Sequence, residues 1–224
     1  MRLHRILIGG AAIALLAAWP CGFALAQAHR SVRTQTGEIR IETIARGLEH
    51  PWGLAFLPDG RMLVTERPGR LRIVAPDGKM SLPLSGIPNV FAQGQGGLLD
   101  AALDPAFGSN RLVYFTFAEP GPGGASTAAA RGRLKPDDSG LEDVQVIFRQ
   151  QPKVTGPNHF GSRLVFSPDG KLFVTMGERF KFDPAQDITN HLGTIARINP
   201  DGSVPSDNPF IGRKRARRED GSLV

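Results

Sequence analysis

Short apolar runs separated by turn residues recur along most of this 224-residue chain. Residues 53–65 place an apolar-rich run on each side of Pro58-Asp59-Gly60, and residues 163–175 repeat this arrangement around Pro168-Asp169-Gly170. Runs of aliphatic and aromatic residues on both sides of a Pro-Asp-Gly turn predict a β-hairpin at each place. No segment shows a sustained helical apolar period, so long helices are not expected.

A more diverged copy of the hairpin runs through 97–107 and 111–117, and further strand candidates are 71–74, 144–148 and 194–198. The hairpins recur roughly every 45 to 65 residues with two more strands between them, which is typical of four-stranded propeller blades. A β-sandwich is the alternative, because its strands also come at short, even spacing. The repetition of one sequence unit favours a propeller.

About three to four such blades fit between Ile39 and Val224, whereas propellers close with about four to eight. The sequence therefore predicts an all-β partial propeller over 39–211, truncated before it closes into a ring. The stretch 121–130, rich in Gly, Ala, Ser and Thr, is expected to be a long surface loop. The basic stretch 212–224 has no strand pattern and is expected to be a disordered tail.

The amino-terminal segment has the layout of a secretory signal peptide. A short basic start precedes an apolar run, and small residues at Ala24 and Ala26 predict cleavage after Ala26, with Ala28 as the alternative. The run is shorter than the roughly 20 apolar residues that span a bilayer, so no stable membrane insertion is expected. We therefore expect a periplasmic or secreted protein, in which 27–38 is a flexible lead-in and order begins near Ile39.

Composition narrows the chemistry that the exported part can use. The single cysteine, Cys21, lies within the predicted signal peptide, which leaves no thiol for a disulfide or a metal site. Most of the formal net charge of +6 comes from the two ends of the chain, and the body between them carries 20 basic and 19 acidic side chains. A nearly neutral body without a basic face argues against nucleic-acid binding.

Two polar, glycine-flanked segments precede strands and contain residues suited to catalysis. His159 lies directly before the 163–175 hairpin, and a histidine can act as a general base because the ordinary pKa of this residue type lies near neutrality. Glu178 follows the same hairpin, which returns the chain to the same end of the sheet, so its carboxylate can orient His159. In the other segment, 93–97, the Gln95 amide can donate and accept hydrogen bonds. Spacing alone leaves both interpretations open against plain structural loops.

Five motifs together resemble the glucose/sorbosone dehydrogenase family, in order and with matching spacing from about Ile41 to about Ile211. They are WGLAFLPDG at 52–60, GQGGLLD at 94–100, NHFGSRLVF at 158–166, GE at 177–178 and NHLG at 190–193. Proteins of this family are soluble, PQQ-dependent aldose sugar dehydrogenases on a six-bladed propeller of four-stranded antiparallel blades. The resemblance therefore implies oxidation of an aldose at its anomeric carbon to the lactone.

The resemblance also implies roles for individual residues. His159 matches the base that removes the hydroxyl proton at the anomeric carbon, and Glu178 matches the acidic residue that holds this base. Gln95 and Asn158 match substrate-facing polar groups, and Gln186 is a weaker candidate for a substrate contact. The segment 179–181, Arg-Phe-Lys, departs from the polar residue that the family usually has after the Gly-Glu pair.

In the family the groups that bind PQQ and its calcium ion come mostly from later blades. The sequence therefore assigns no metal ligand to this chain, places the calcium ligands beyond its end, and predicts that this copy is inactive. Two alternatives remain open: a sugar-lactone hydrolase on a similar propeller, which needs clustered carboxylates, and a non-catalytic binding propeller or remnant.

Overall fold

The computed structural model describes residues 29–209 and residue 211, and the chain divides into two compact units between Thr43 and Ile44. The predicted signal peptide, 1–26, and the basic tail, 212–224, lie outside the described residues. In the first unit, β1 (His29–Thr34) and β2 (Gly37–Glu42) form an antiparallel hairpin.

This hairpin corrects the expectation that 27–38 lacks regular structure, which is wrong from His29 onward. The turn closes at Gly37, whose φ of 145° is in the range that favours glycine, and the Thr34 hydroxyl donates to the Gly37 carbonyl at 2.7 Å. Every residue of β2 is exposed, so the pairing depends on backbone hydrogen bonds. An apolar pattern does not reveal such strands.

The described part of the second unit contains three antiparallel sheets that follow one another along the chain. The first comprises β3 (Pro51–Phe56), β4 (Met62–Glu66) and β5 (Arg70–Val74). The second comprises β6 (Leu98–Leu103), β7 (Leu112–Gly121), β8 (Gly124–Leu134) and β9 (Leu141–Arg149). The third comprises β10 (Gly161–Phe166), β11 (Leu172–Met176) and β12 (Ile195–Ile198).

The three hairpins predicted from the turn residues are confirmed as β3–β4, β6–β7 and β10–β11, and the other strand candidates correspond to β5, β9 and β12. Each hairpin has a register shift in its first strand, between Pro51 and Leu54, Leu98 and Ala101, and Gly161 and Leu164. The same irregularity at the same place in three sheets shows that one structural unit is repeated. The all-β, antiparallel prediction is confirmed, whereas the described residues close no ring, and the six-blade count stays a prediction.

Two one-turn helices complete the described part of this unit, α1 (Phe107–Asn110) and a 3-10 helix (Asp183–Gln186). Among the described residues, no helix is long and apolar enough to cross a membrane.

The surface loop expected over 121–130 is wrong, because most of this stretch belongs to β8. β7 and β8 pair from Leu112 opposite Arg133 to Gly121 opposite Gly124, and Ala128, Ala129 and Ala130 are fully buried. The small side chains that suggested a loop are needed because both faces of the strand are covered. Ala128 and Ala130 pack in the core shared with the first sheet, and Ala129 packs in the core shared with the third.

Buried threonine hydroxyls connect each sheet to the next. The Thr65 hydroxyl accepts from the Gly53 N–H at 2.8 Å and donates to the Leu99 carbonyl of the second sheet at 2.5 Å. Thr116 repeats the arrangement, accepting from the Asp100 N–H at 2.9 Å and donating to the Ser162 carbonyl of the third sheet at 2.7 Å. These bonds fix the register between sheets, so loops at one end of the stack are held near one another.

Candidate active site

The β10–β11 hairpin brings His159 and Glu178 to the same end of the third sheet. Gly161 pairs with Met176 in the ladder, so each functional residue lies two positions outside the paired ends. Nδ1 of His159 lies 2.6 Å from Oε1 of Glu178. The two side chains that the sequence analysis linked are therefore in direct contact, while their catalytic roles stay a prediction.

The electrostatics of this pair determine which ring nitrogen of His159 is free to accept a proton. The hydrogen bond from His159 lowers the pKa of Glu178, which keeps the carboxylate ionised at neutral pH. An ionised carboxylate only accepts hydrogen bonds, so a neutral His159 ring carries its hydrogen on Nδ1 and a lone pair on Nε2. Within the described part of the chain, no residue hydrogen-bonds to Nε2. The pair thus has the arrangement of a base oriented by a carboxylate.

Gln95 holds the backbone of the histidine segment. Its side-chain Oε1 accepts from the His159 backbone N–H at 2.8 Å, and its own N–H donates to the Pro157 carbonyl at 2.9 Å. Gly94 allows this close approach, since a Cβ there would lie 2.6 Å from the Pro157 ring. The residue predicted to face the sugar therefore also positions His159, which sequence reasoning did not foresee.

His159 lines a cleft of about 300 Å³ at the junction of the three sheets. Its lining side chains belong to the first two sheets and to the loops that flank all three: Trp52, Arg67, Gln95, Leu99, His159 and Phe160. Trp52 and Arg67 were not predicted from the sequence as cleft residues. The available signal was positional, because Trp52 is the second residue of β3 and Arg67 directly follows β4, at the end of this hairpin that corresponds to the His159 and Glu178 end of β10–β11.

An ion pair between the buried Asp100 and the half-exposed Arg163 lies beside Trp52, which lines this cleft. Arg163 Nη1 donates to Asp100 Oδ1 at 2.8 Å, and its guanidinium lies 4.8 Å from the centroid of the Trp52 ring. Asp100 Oδ2 also accepts from the Leu164 N–H at 2.8 Å. One buried carboxylate thus ties the second sheet to the third and fixes the cation that lies over Trp52.

Two other predicted substrate residues are not brought to the cleft in the same way. Asn158 is half-buried, and its carbonyl accepts from Arg179 at 2.8 Å. Gln186 is exposed at the end of the 3-10 helix and is not among the residues that line the cleft with His159. Phe180, in the segment that departs from the family pattern, instead packs edge-on against the His159 ring at 4.8 Å.

Fold and site together define an all-β protein of repeated antiparallel sheets that carries a carboxylate-oriented histidine in a cleft. Comparison with known proteins agrees with this class. The family model for glucose/sorbosone dehydrogenase matches residues 48–220. The chain belongs to the glucose/sorbosone dehydrogenase family.

Three relatives show the extent of the similarity. The aldose sugar dehydrogenase YliI of Escherichia coli is 45% identical over 183 residues, which cover 81% of this chain and 49% of that protein. The crystal structure of the soluble aldose sugar dehydrogenase from Escherichia coli superposes with a TM-score of 0.75 at 45% identity, over 77% of this chain and 50% of that one. The PQQ-bound aldose sugar dehydrogenase from Streptomyces coelicolor gives a TM-score of 0.69 at 30% identity, over 88% and 59%. The chain spans about half the length of the curated relatives it matches.

Proposed function

We propose that this chain provides the proton-accepting side of a PQQ-dependent site that oxidises aldose sugars at the anomeric carbon to the lactone. The observation that supports this most directly is the 2.6 Å contact between His159 Nδ1 and Glu178 Oε1, beside a cleft and with Nε2 free among the described residues. The relatives named as aldose sugar dehydrogenases supply the substrate class, and the PQQ-bound relative supplies the cofactor.

In the proposed reaction, Nε2 of His159 takes the proton of the anomeric hydroxyl. The O–H electron pair forms the second bond to the anomeric carbon, and the hydrogen on that carbon leaves as a hydride. PQQ, when bound, supplies the quinone that accepts this hydride and its two electrons. Glu178 stabilises the imidazolium that forms on His159, because the ionised carboxylate remains hydrogen-bonded to Nδ1. Gln95 keeps the imidazole in place through the His159 backbone.

The cleft contains groups that fit such a cofactor. PQQ is a planar aromatic tricarboxylate, and Trp52 offers a planar aromatic face while Arg67 offers a guanidinium at the same cleft. We assign the two residues to the cofactor side of the site. The expected calcium ion stays a prediction, and no group of three metal-ligating side chains occurs within the described residues.

The remaining parts of the proposal concern fold and compartment. We propose that the three sheets are blades of a six-bladed propeller, which the repeated hairpins and the similarity to the Escherichia coli structure support. We also propose export to the periplasm or the medium, which the signal-peptide pattern of 1–26 supports.

The proposal is tested by sugar-dependent dye reduction with added PQQ and calcium. The chain is assayed alone and as a chimera in which it replaces the matching half of the Escherichia coli relative. In the active protein, His159→Ala should lower turnover by about 10²- to 10⁴-fold while PQQ still binds, because only the general base is removed. Glu178→Gln should cost less, since the base remains and only its charged partner is lost.

The matched control is His50→Ala, which removes an exposed histidine outside the cleft and should leave turnover near the parent value. PQQ binding is measured separately by titration. Near-normal turnover in His159→Ala would remove its role as base. Loss of PQQ binding in that variant would make it a cofactor or folding residue instead.

A further inference from the structure

Arg179, next to Glu178 in the chain, is a buried cation without a carboxylate partner in the described part of the protein. Its side chain is only 1% exposed and is the largest of the fully buried ones. Burial lowers its pKa to about 10, so the guanidinium remains charged at neutral pH. Burying a cation without an anion is unfavourable, and other hydrogen bonds must offset the lost hydration.

The three nitrogens of the Arg179 guanidinium each donate to a backbone carbonyl. Nε donates to Asn158 at 2.8 Å, Nη1 donates to Ala125 at 2.8 Å, and Nη2 donates to Gly156. Two of these three carbonyls belong to the segment that carries His159, and the third belongs to β8. The guanidinium thus ties the histidine segment to the middle sheet.

Two further contacts join Arg179 to His159 and to the next residue, Phe160. The Arg179 backbone N–H donates to the His159 carbonyl at 3.2 Å, and the guanidinium carbon lies 3.5 Å from the centroid of the Phe160 ring. His159 needs such support because its φ of 52° lies in the left-handed region, which is unfavourable for a residue other than glycine.

We propose that Arg179 is a positioning residue, whose guanidinium fixes the segment 156–160 so that the His159 imidazole stays on Glu178. The proposal rests on the proposed function, which assigns the base to His159. The planar guanidinium suits the task because its N–H groups point in fixed, different directions. A lysine keeps the charge but has a single ammonium, which cannot reach three carbonyls placed around a planar fork.

The test uses the chain itself, without sugar or PQQ, and compares Arg179→Lys and Arg179→Ala with the parent. One readout is the histidine-selective proton–nitrogen NMR signal of the Nδ1 hydrogen. The other is amide hydrogen exchange at His159, whose N–H donates to Gln95, with the Val174 amide of β11 as internal reference. Both Arg179 variants should lose the Nδ1 signal and exchange the His159 amide at least about tenfold faster, while Val174 keeps its protection.

The matched control is Arg111→Lys. Arg111 has a positive φ of 54°, as Arg179 has one of 60°, and its guanidinium lies over the Phe107 ring. It donates to the Leu134 and Lys135 carbonyls and also to the Asp138 carboxylate. It lies away from the cleft and should leave both His159 readouts unchanged. Added guanidinium at low concentration should restore the Nδ1 signal in Arg179→Ala, which supports positioning by hydrogen bonds.

Unchanged His159 signals in both Arg179 variants would overturn the proposal. Equal loss of protection at His159 and Val174 in both would also overturn it, because Arg179 would then be a general folding residue. Neither readout depends on turnover. The proposed oxidation can therefore fail in the dye assay while the positioning role stands, or the reverse.

Discussion

At the scale of single residues, two buried carboxylates show how neighbours decide the direction of a pKa shift. Burial raises the pKa of Asp100, which accepts from the Leu164 N–H and from the half-exposed Arg163. Burial also raises the pKa of Glu66, but hydrogen bonds from Arg70, the Glu49 backbone and Arg72 outweigh it and bring the pKa to about 2. Two cations on one carboxylate thus overcome a desolvation penalty that a single, half-exposed cation does not.

This difference predicts how stability depends on pH. A carboxylate whose folded pKa lies below its unfolded value stabilises the protein above the unfolded pKa, and this contribution is lost as pH falls through the folded pKa. For Glu66 the loss should occur between pH 4.5 and about 2, and it amounts to about 3 kcal/mol. Urea unfolding measured across this range should show a steeper loss in the parent than in Glu66→Gln.

Because Glu178 also has a lowered pKa and Asp100 a raised one, only the difference between parent and variant isolates Glu66. The same experiment on Glu49→Gln serves as control, since Glu49 is exposed and contacts only Arg70 among these cations. Parallel pH profiles for the parent and Glu66→Gln would contradict the prediction.

The sequence could predict the His159–Glu178 pair because both residues flank a hairpin with an unmistakable turn. It could not predict that Gln95 would bind the His159 backbone, or that Arg179 would be buried. Those contacts depend on how loops from different sheets approach one another. From the sequence, Arg179 was notable only as the start of a segment that departs from the family pattern, whereas its side chain donates to three backbone carbonyls.

At the scale of elements, turn chemistry was the reliable signal and composition was the unreliable one. The Pro-Asp-Gly turns predicted β3–β4 and β10–β11 correctly. The alanines of β8 were misread as loop residues because a strand covered on both faces by neighbouring sheets has room only for small side chains. The exposed hairpin β1–β2 was missed for the opposite reason, since it buries too little to leave an apolar pattern.

The end of β11 offers a test of how closely this element must approach the histidine segment. A Cβ at Gly177 would collide with the His159 carbonyl, and neither group can move without shifting the backbone. Gly177→Ala should therefore displace His159 from Glu178 and lower turnover of the active chimera by at least about tenfold. It should also weaken the Nδ1 signal in the chain alone.

Gly170→Ala is the matched control, because Gly170 lies in the turn of the same hairpin at a φ of 76° with open space around its Cβ position. That variant should cost about 1 kcal/mol of stability through backbone strain and leave turnover unchanged. Equal loss of turnover in both variants would show that turnover depends on the stability of the hairpin and not on the close contact between Gly177 and the His159 carbonyl.

At the scale of the whole molecule, the second unit is a stack in which the middle sheet is covered on both faces. Ala129 is fully buried in the core between the second and third sheets, beside Tyr114, Leu172 and Val174. Ala129→Leu should overpack this core and cost about 1–3 kcal/mol, measured as a lower midpoint of chemical unfolding. Ala92→Leu, at an exposed position, should leave the midpoint nearly unchanged. Similar midpoints for both variants would show that the sheets are not tightly packed there.

The stacking of sheets was foreseeable from the repeated hairpins, whereas the cleft was not. Its walls come from residues as distant in sequence as Trp52 and Phe160. Trp52 lies in β3 and Phe160 directly precedes β10. They line one cleft only because the corresponding ends of successive sheets lie side by side. The sequence pattern indicates the repeated units, but it does not indicate a cleft that forms between them.

The threonine hydroxyls that join the sheets all donate in the same direction along the stack. Thr65 and Thr116 each accept from their own sheet and donate to the following one, so the two interfaces use the same chemistry in the same sense. In the third sheet, Thr175 accepts from the Arg163 N–H at 2.9 Å, as the other two accept within their sheets. A gene segment encoding one sheet therefore encodes its own connector. Duplicating that segment would add a module already equipped to join its neighbour, which is how tandem duplication can lengthen such a protein without inventing a new interface.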